Sequence, residues 1–141
     1  MKYFLDTSVL VPVFVDEHPH HEASLALFSR ADKKHASCAA HSLAEVYATL
    51  TRLPGKHRAS ASEAMLFLEE MKERLAFISL DAEEYWRAVI ESAESGIVGG
   101  TIYDSLLAHC ALKAKAETIF TWNIDHFRHV GPEVAKRVRT P

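Results

Sequence analysis

The feature that most constrains this chain is a repeated alternation of short apolar run, polar stop and amphipathic stretch of helix length. Tyr3-Phe4-Leu5 is the first such run, rich in strand-favouring aromatics, and it breaks off at Asp6-Thr7-Ser8. Further strands are expected over 36–40, 75–80 and 118–122, with a short edge strand near Val138. Helical patterns separate them. Leu27, Phe28 and Ala31 form one stripe, Ser42 to Leu53 a second that Pro54-Gly55 stops, and Ser60 to Arg74 a third. Asp81 caps a fourth helix, which carries Tyr85, Trp86, Val89, Ile90 and Ala93. The fifth, Ile102 to Ala114, is apolar on most sides and is therefore expected to be central. Strands alternating with helices, with few hairpin signals, predict an α/β fold with a parallel sheet flanked by helices. Val9 to Val15 stays open between the two states. Its β-branched residues favour a strand, whereas Ser8 can cap a helix and Pro12 is tolerated near a helix start.

At 141 residues and 48% hydrophobic, the chain reads as one domain over 1–141 that needs no disulfide or metal staple. A net charge of −3 excludes coating of nucleic acid by bulk attraction and leaves only a local basic groove. Cys38 and Cys110 sit among alanines and leucine, as small core residues do. No secretory signal follows Met1-Lys2, and Val9 to Val15 is far too short to span a bilayer. The expected compartment is the cytoplasm, with no membrane partner.

A strand that ends at Asp6 places a carboxylate on the carboxyl edge of a parallel sheet, where ligands bind in open α/β folds. Asp6, Asp104, and Asn123 with Asp125 all fall just past a strand or in the first turn of a helix, and Glu45 lies equally early in its own. Right-handed crossovers bring such positions to one edge. Capping is the competing account: Asp6 suits a helix N-cap, and Ser42-x-x-Glu45 and Thr101-x-x-Asp104 both fit a capping box. Capping does not require Asp104 to sit on a nearly all-apolar helix approached through Gly99-Gly100, which suggests a carboxylate facing a crevice. Carboxylates gathered in a crevice repel unless a cation joins them, and hard oxygen donors call for Mg²⁺ or Mn²⁺. Such an ion activates water and stabilises the oxygens of an in-line displacement at phosphorus. The local chemistry therefore reaches metal-dependent phosphoester hydrolysis. The loop Asp16 to His21 holds three histidines beside Pro19, which read as solvated rather than as metal ligands.

Four segments, taken together, resemble the PIN-domain ribonucleases, and among them the VapC-type toxins of toxin–antitoxin pairs. They are Tyr-Phe-Leu-Asp6-Thr7-Ser8, the run from His41 through Glu45 to Pro54, Gly-Gly-Thr-Ile-Tyr-Asp104, and Phe-Thr121-Trp-Asn123-Ile-Asp-His-Phe127. The resemblance covers nearly the whole chain. It implies a three-layer α/β/α sandwich on a parallel sheet of about five strands, with Val9 to Val15 as a short helix. It also implies a metal-dependent endoribonuclease using Mg²⁺, or Mn²⁺, with Asp6 and Asp104 as metal ligands and Glu45 completing the acidic triad. Ser8 and Thr121 would orient the carboxylates. Asn123 stands where many PIN domains carry a fourth acid, which puts a second ion in doubt. Arg52, which shares a helix face with Glu45 and Thr49, and then Lys56, His57 and Arg58, are the candidate contacts to RNA phosphates. The partners implied are RNA and a small antitoxin protein, in a homodimer or a toxin–antitoxin hetero-oligomer. The alternatives are a non-catalytic PIN-like module that binds RNA or protein, and a PIN nuclease of RNA processing. A haloacid-dehalogenase phosphatase wants a second Asp where Ser8 stands. A response-regulator receiver wants a lysine after the last core strand, and none follows Thr121 there.

Overall fold

Strand β1 (Tyr3–Leu5) runs through the centre of a five-stranded sheet in the computed structural model, which describes residues 1–141. β2 (Ala36–Ala39) and then β3 (Ala76–Ile78) lie on one side of it, β4 (Thr118–Phe120) and then β5 (Val138–Arg139) on the other. Every pairing is parallel, with Tyr3 opposite both Ala36 and Thr118. The strands are shorter than their expected runs: pairing stops at Ile78 and Phe120, and Ser79-Leu80 and Thr121-Trp122 continue as loop.

Successive strand residues point to opposite faces, and the core divides accordingly. Leu5 and Cys38 face helices α1 (Thr7–Phe14), α3 (His41–Thr51) and α4 (Ala61–Arg74), which contribute Val9, Leu10, Val46, Leu50, Phe67 and Met71. Phe4, Ala39 and Ile119 face α6 (Thr101–Lys113) through Leu107, Ala108 and Ala111. Helices on both faces make the three-layer α/β/α sandwich expected from the resemblance. α2 (His21–Ser29) packs on α1. Two short helices, α7 (Ile124–Arg128) and α8 (Pro132–Ala135), bury Phe127 and Val134 beside α6, and neither has a periodic stripe long enough to be read from sequence. Cys38 and Cys110 are both buried and unpaired by disulfide.

The segment after Ser8, open on pattern alone, is the short helix that the resemblance implies; α1 begins at Thr7 with Asp6 as its N-cap and ends two residues after Pro12. The capping boxes read at Ser42/Glu45 and Thr101/Asp104 do not form. α3 and α6 start from Ala40 and Gly100 with no side-chain cap, and Ser42 is buried inside its helix. Genuine capping boxes occur at Ser60/Glu63 and Asp81/Glu84 instead. The helix that Asp81 caps, α5 (Ala82–Glu94), turns Ala88 and Ser92 inward while Tyr85, Trp86, Val89 and Ile90 are exposed. Its contacts to α6 include polar ones: Ser92 Oγ lies 2.6 Å from Ser105 Oγ in the interior, and Glu91 Oε2 lies 3.0 Å from His109 Nε2 at the surface.

Candidate active site

Asp6 leaves the end of β1 and is 1% exposed. Its backbone N–H donates to the carbonyl of Phe120 on the neighbouring strand, at 3.0 Å. Three donors converge on Oδ2: the Ser8 hydroxyl at 2.7 Å, the Thr121 hydroxyl at 2.8 Å and the Ser8 backbone N–H at 3.3 Å. Each hydroxyl also accepts a backbone N–H from the turn after β4, Ser8 from Trp122 and Thr121 from Asn123, both at 2.9 Å. With its acceptor side filled, each hydroxyl directs its hydrogen at the carboxylate. Oδ1 has no protein donor. No buried side-chain oxygen in the molecule lacks a partner, so Oδ1 is open to the cleft that Asp6 lines. Burial pushes the Asp6 carboxyl up to about 6; the Ser8 and Thr121 hydrogen bonds act against the rise, and the charge of Asp104 adds to it.

Glu45 and Asp104 reach the same cleft from the first turns of α3 and α6. Gly99 takes φ +63°, a region that favours glycine, where the chain turns into α6. Both acids are half-buried, and burial raises both above the usual carboxylate range. Glu45 is restrained by the Thr7 hydroxyl, 3.1 Å from its Oε1 and 2.9 Å from Ser42 Oγ. Asp104 Oδ2 lies 2.9 Å from Nδ1 of His126 on α7, which holds its carboxyl down against the burial. The charge of Asp104 raises the Glu45 carboxyl as well as that of Asp6.

The cleft encloses about 450 Å³. Asn123 lines it without capping α7, and Thr49 lines it one turn before Arg52. Arg52, Lys56 and Arg58 are exposed and outside its lining, which holds no lysine or arginine at all. Asp125 also lies outside it. Sequence reasoning did not single out His126, the Trp122 ring or a role for Thr7. It read the loop histidines as solvated, whereas His18 and His20 are half-buried and line the cleft, with the His20 ring against Trp122. Thr7 had a signal, since a hydroxyl followed the strand-end carboxylate. His126 had none, because it meets Asp104 only through the packing of α7 on α6.

The donor set can be tested against a hard cation. No three of the His, Cys, Asp and Glu side chains are gathered closely enough to hold an ion by themselves. Mg²⁺ does not need such a cage, because it is commonly bound by one or two carboxylates and keeps several waters. The open Oδ1 of Asp6, with Asp104 facing the same space and no lysine or arginine in the lining, suits that mode.

Fold and site together define a class: the chain belongs to the PIN-domain family, whose model matches residues 3–132. Among individual proteins, it is 34% identical over 113 residues to Ribonuclease VapC27 of Mycobacterium tuberculosis, a match covering 80% of this chain and 79% of that protein. It is also 34% identical over 114 residues to Ribonuclease VapC40 of the same organism, covering 81% of each. Two crystal structures share the fold. VapBC2 from Rickettsia felis, bound to a DNA fragment from their promoter, superposes with a TM-score of 0.68 at 21% identity over 99% of this chain and 98% of that one. VapC20 of Mycobacterium tuberculosis, a Sarcin-Ricin loop cleaving toxin, does so with a TM-score of 0.71 at 14% identity, over 89% and 92%. PIN-domain VapC ribonucleases are generally dependent on a divalent metal.

Proposed function

We propose that this chain is an endoribonuclease, the toxin of a toxin–antitoxin pair, which hydrolyses RNA phosphodiester bonds with Mg²⁺, or Mn²⁺, held by Asp6 and Asp104. The observation that carries the reading is the carboxylate of Asp6, fixed through one oxygen and open through the other, in a cleft shared with Glu45 and Asp104. The names of its relatives, ribonucleases VapC27 and VapC40, support the same activity. The presence of all three acids speaks against the non-catalytic alternative.

When bound, the ion supplies positive charge that activates water and stabilises the oxygens of the reacting phosphate. The chain's own residues supply the geometry. Ser8 and Thr121 keep Asp6 in one rotamer, so that Oδ1 faces the substrate space. His126 gives Asp104 one orienting partner. Glu45, raised by burial and steadied by Thr7, completes the triad and is the carboxylate best placed to hold water or take its proton.

No helix is long and apolar enough to cross a membrane. The site of action in this reading is the cytoplasm, and the partners are RNA and a small antitoxin, in a homodimer or a hetero-oligomer. An arginine from the antitoxin would offset the carboxylate repulsion in place of the ion. The test is incubation of the purified chain with total RNA in Mg²⁺, in Mn²⁺ and in EDTA. Cleavage is expected with metal and not in EDTA; intact RNA with both metals would leave the reading without support.

A further inference from the structure

A cleft lined by three carboxylates and no lysine or arginine gives RNA little to hold by charge. It does offer aromatic surface. The His20 ring lies 3.7 Å from the Trp122 ring, centroid to centroid, with 7° between their planes. His18 stands next to His20, at 5.5 Å and 39°. All three residues line the cleft with Asp6, Glu45 and Asp104. The column is braced both from outside the cleft and within itself. The indole N–H of Trp122 donates to Ser24 Oγ at 3.0 Å, and the backbone N–H of His20 donates to His18 Nδ1 at 3.0 Å. The backbone N–H of Trp122 donates to the same Ser8 hydroxyl that holds Asp6, so the rings and the carboxylate share one support.

His20 occupies the N-cap position of α2, yet its side chain makes no capping hydrogen bond. Its ring is engaged by stacking, and its nitrogens are free for an incoming group. Single-stranded RNA is recognised largely by stacking of unpaired bases on aromatic side chains, and any base has a face to stack.

We infer that the His18–His20–Trp122 column is a subsite for an unpaired nucleobase of single-stranded RNA, seating the nucleotide beside the phosphate that enters the carboxylate cleft. This rests on the ribonuclease reading for the identity of the ligand. The base extends the existing ring stack. The subsite tolerates any base by stacking alone, and affinity is expected to rise about 5- to 150-fold over the same backbone without bases.

The experiment uses the full chain carrying Trp86→Phe, which leaves Trp122 as the sole tryptophan. In EDTA, where cleavage is silent, it is titrated with a short oligouridine and with an abasic ribose-phosphate chain of equal length. Oligouridine is expected to quench the Trp122 fluorescence saturably and to bind more tightly than the abasic chain by the factor above. His20→Ala should lose most of that difference, and His20→Phe, which keeps a stacking ring, should restore it. With metal and cleavable RNA, the His20→Ala loss should fall on KM rather than on kcat. Equal binding of the two chains by the unmutated His20 protein overturns the subsite, and this comparison decides even where His20→Ala fails to fold. Equal losses in the Ala and Phe variants overturn it too, because they mark a purely structural ring. Base-dependent binding without cleavage in any metal would refute the ribonuclease activity and leave the subsite standing. Cleavage without base-dependent binding would do the reverse.

Discussion

Asp6 enters the cleft from a strand end, whereas Glu45 and Asp104 enter it from the first turns of helices, and the two kinds of approach hold a carboxylate differently. Asp6 is sealed between β1 and β4, with three donors on one oxygen and both hydroxyls locked by backbone N–H groups. Glu45 and Asp104 are half-buried, and each meets a single side-chain donor, Thr7 or His126. The strand end therefore supplies a fixed reference point. The helix starts supply two acids that are held less tightly, which on the proposed reading leaves them room to adjust to a cation or a phosphate. Burial raises all three carboxyls, but only Asp6 is almost wholly shut off from the water that would screen the effect.

The largest test breaks both sides of the comparison. Asp6→Asn and Asp104→Asn should each lower metal-dependent RNA cleavage by about a thousandfold or more, which corresponds to about 4 kcal/mol of transition-state stabilisation. Both variants should fold, since Asn can accept at Oδ1 the bonds now made to Asp6 Oδ2 and can still cap α1. Cleavage assays beside circular dichroism check this. Full activity in either variant would remove that residue from the site.

The second test sharpens the contrast through pH. The Asp6 carboxyl moves from 3.8 to about 6 on folding, so between those values the folded chain binds more protons than the unfolded chain. Stability contributed by this group is present below pH 3.8 and lost as pH rises through about 6, a change of about 3 kcal/mol. Asp32, Glu63, Glu84 and Glu133 are lowered and act in the opposite sense, so the readout is a difference. Urea unfolding in EDTA at pH 4 and pH 7 should show Asp6→Asn gaining on wild type at the higher pH. Adding Mg²⁺ should close the gap, because the ion binds only the folded wild type. A gap that ignores pH would show that burial does not raise Asp6.

These outcomes bear on how much was readable before the fold was known. Asp6, Glu45 and Asp104 announced themselves because acids at strand ends and helix starts fall on one edge of a parallel sheet, a consequence of topology alone. Ser8 was visible only beside Asp6, and Thr121 only through the resemblance, since their shared role depends on the pairing of β1 with β4. α5 shows where periodicity stops. Its apolar stripe marks one face clearly, yet nothing in the stripe says that Tyr85, Trp86, Val89 and Ile90 point outward while Ser92 meets Ser105. Orientation there is set by polar partners on α6, eighteen residues away in the case of Glu91 and His109. The same holds for His126, brought to Asp104 by a five-residue helix.

The third test leaves the acids alone and loosens the strand-end socket. Thr121→Val and Ser8→Ala each remove one donor from Asp6 Oδ2 and free a backbone N–H that the hydroxyl had satisfied. Loss of such orienting partners should cost about 10- to 100-fold in activity or metal affinity. Thr7→Val, on the adjustable side, removes the one restraint on Glu45 and should cost less than either. Metal titrations followed by thermal unfolding, together with cleavage rates, rank the three. An equal or larger loss in Thr7→Val would end the distinction between a fixed and an adjustable side.

The smallest effect concerns charge outside the cleft. Arg52 follows Thr49 by three residues at the end of the same helix, so it stands one turn beyond the cleft wall, and Lys56 and Arg58 lie exposed around the turn Gly55–His57. Arg58 is tethered through its Nε to the carbonyl of Leu53, with the rest of its guanidinium free. In the proposed reading, cations at the rim would meet flanking phosphates rather than the one between the acids. Their contribution is counterion release, which is modest for each phosphate and screened by salt. Replacing Arg52, Lys56 and Arg58 with glutamine should weaken binding of single-stranded RNA. The slope of log affinity against log salt should flatten by about 0.7 for each phosphate that is no longer neutralised. Turnover of bound RNA should change little, because none of the three touches the carboxylates. An unchanged slope would mean that these residues are only the solvated end of α3. RNA would then be held within the cleft, through its rings and any ion that the carboxylates hold.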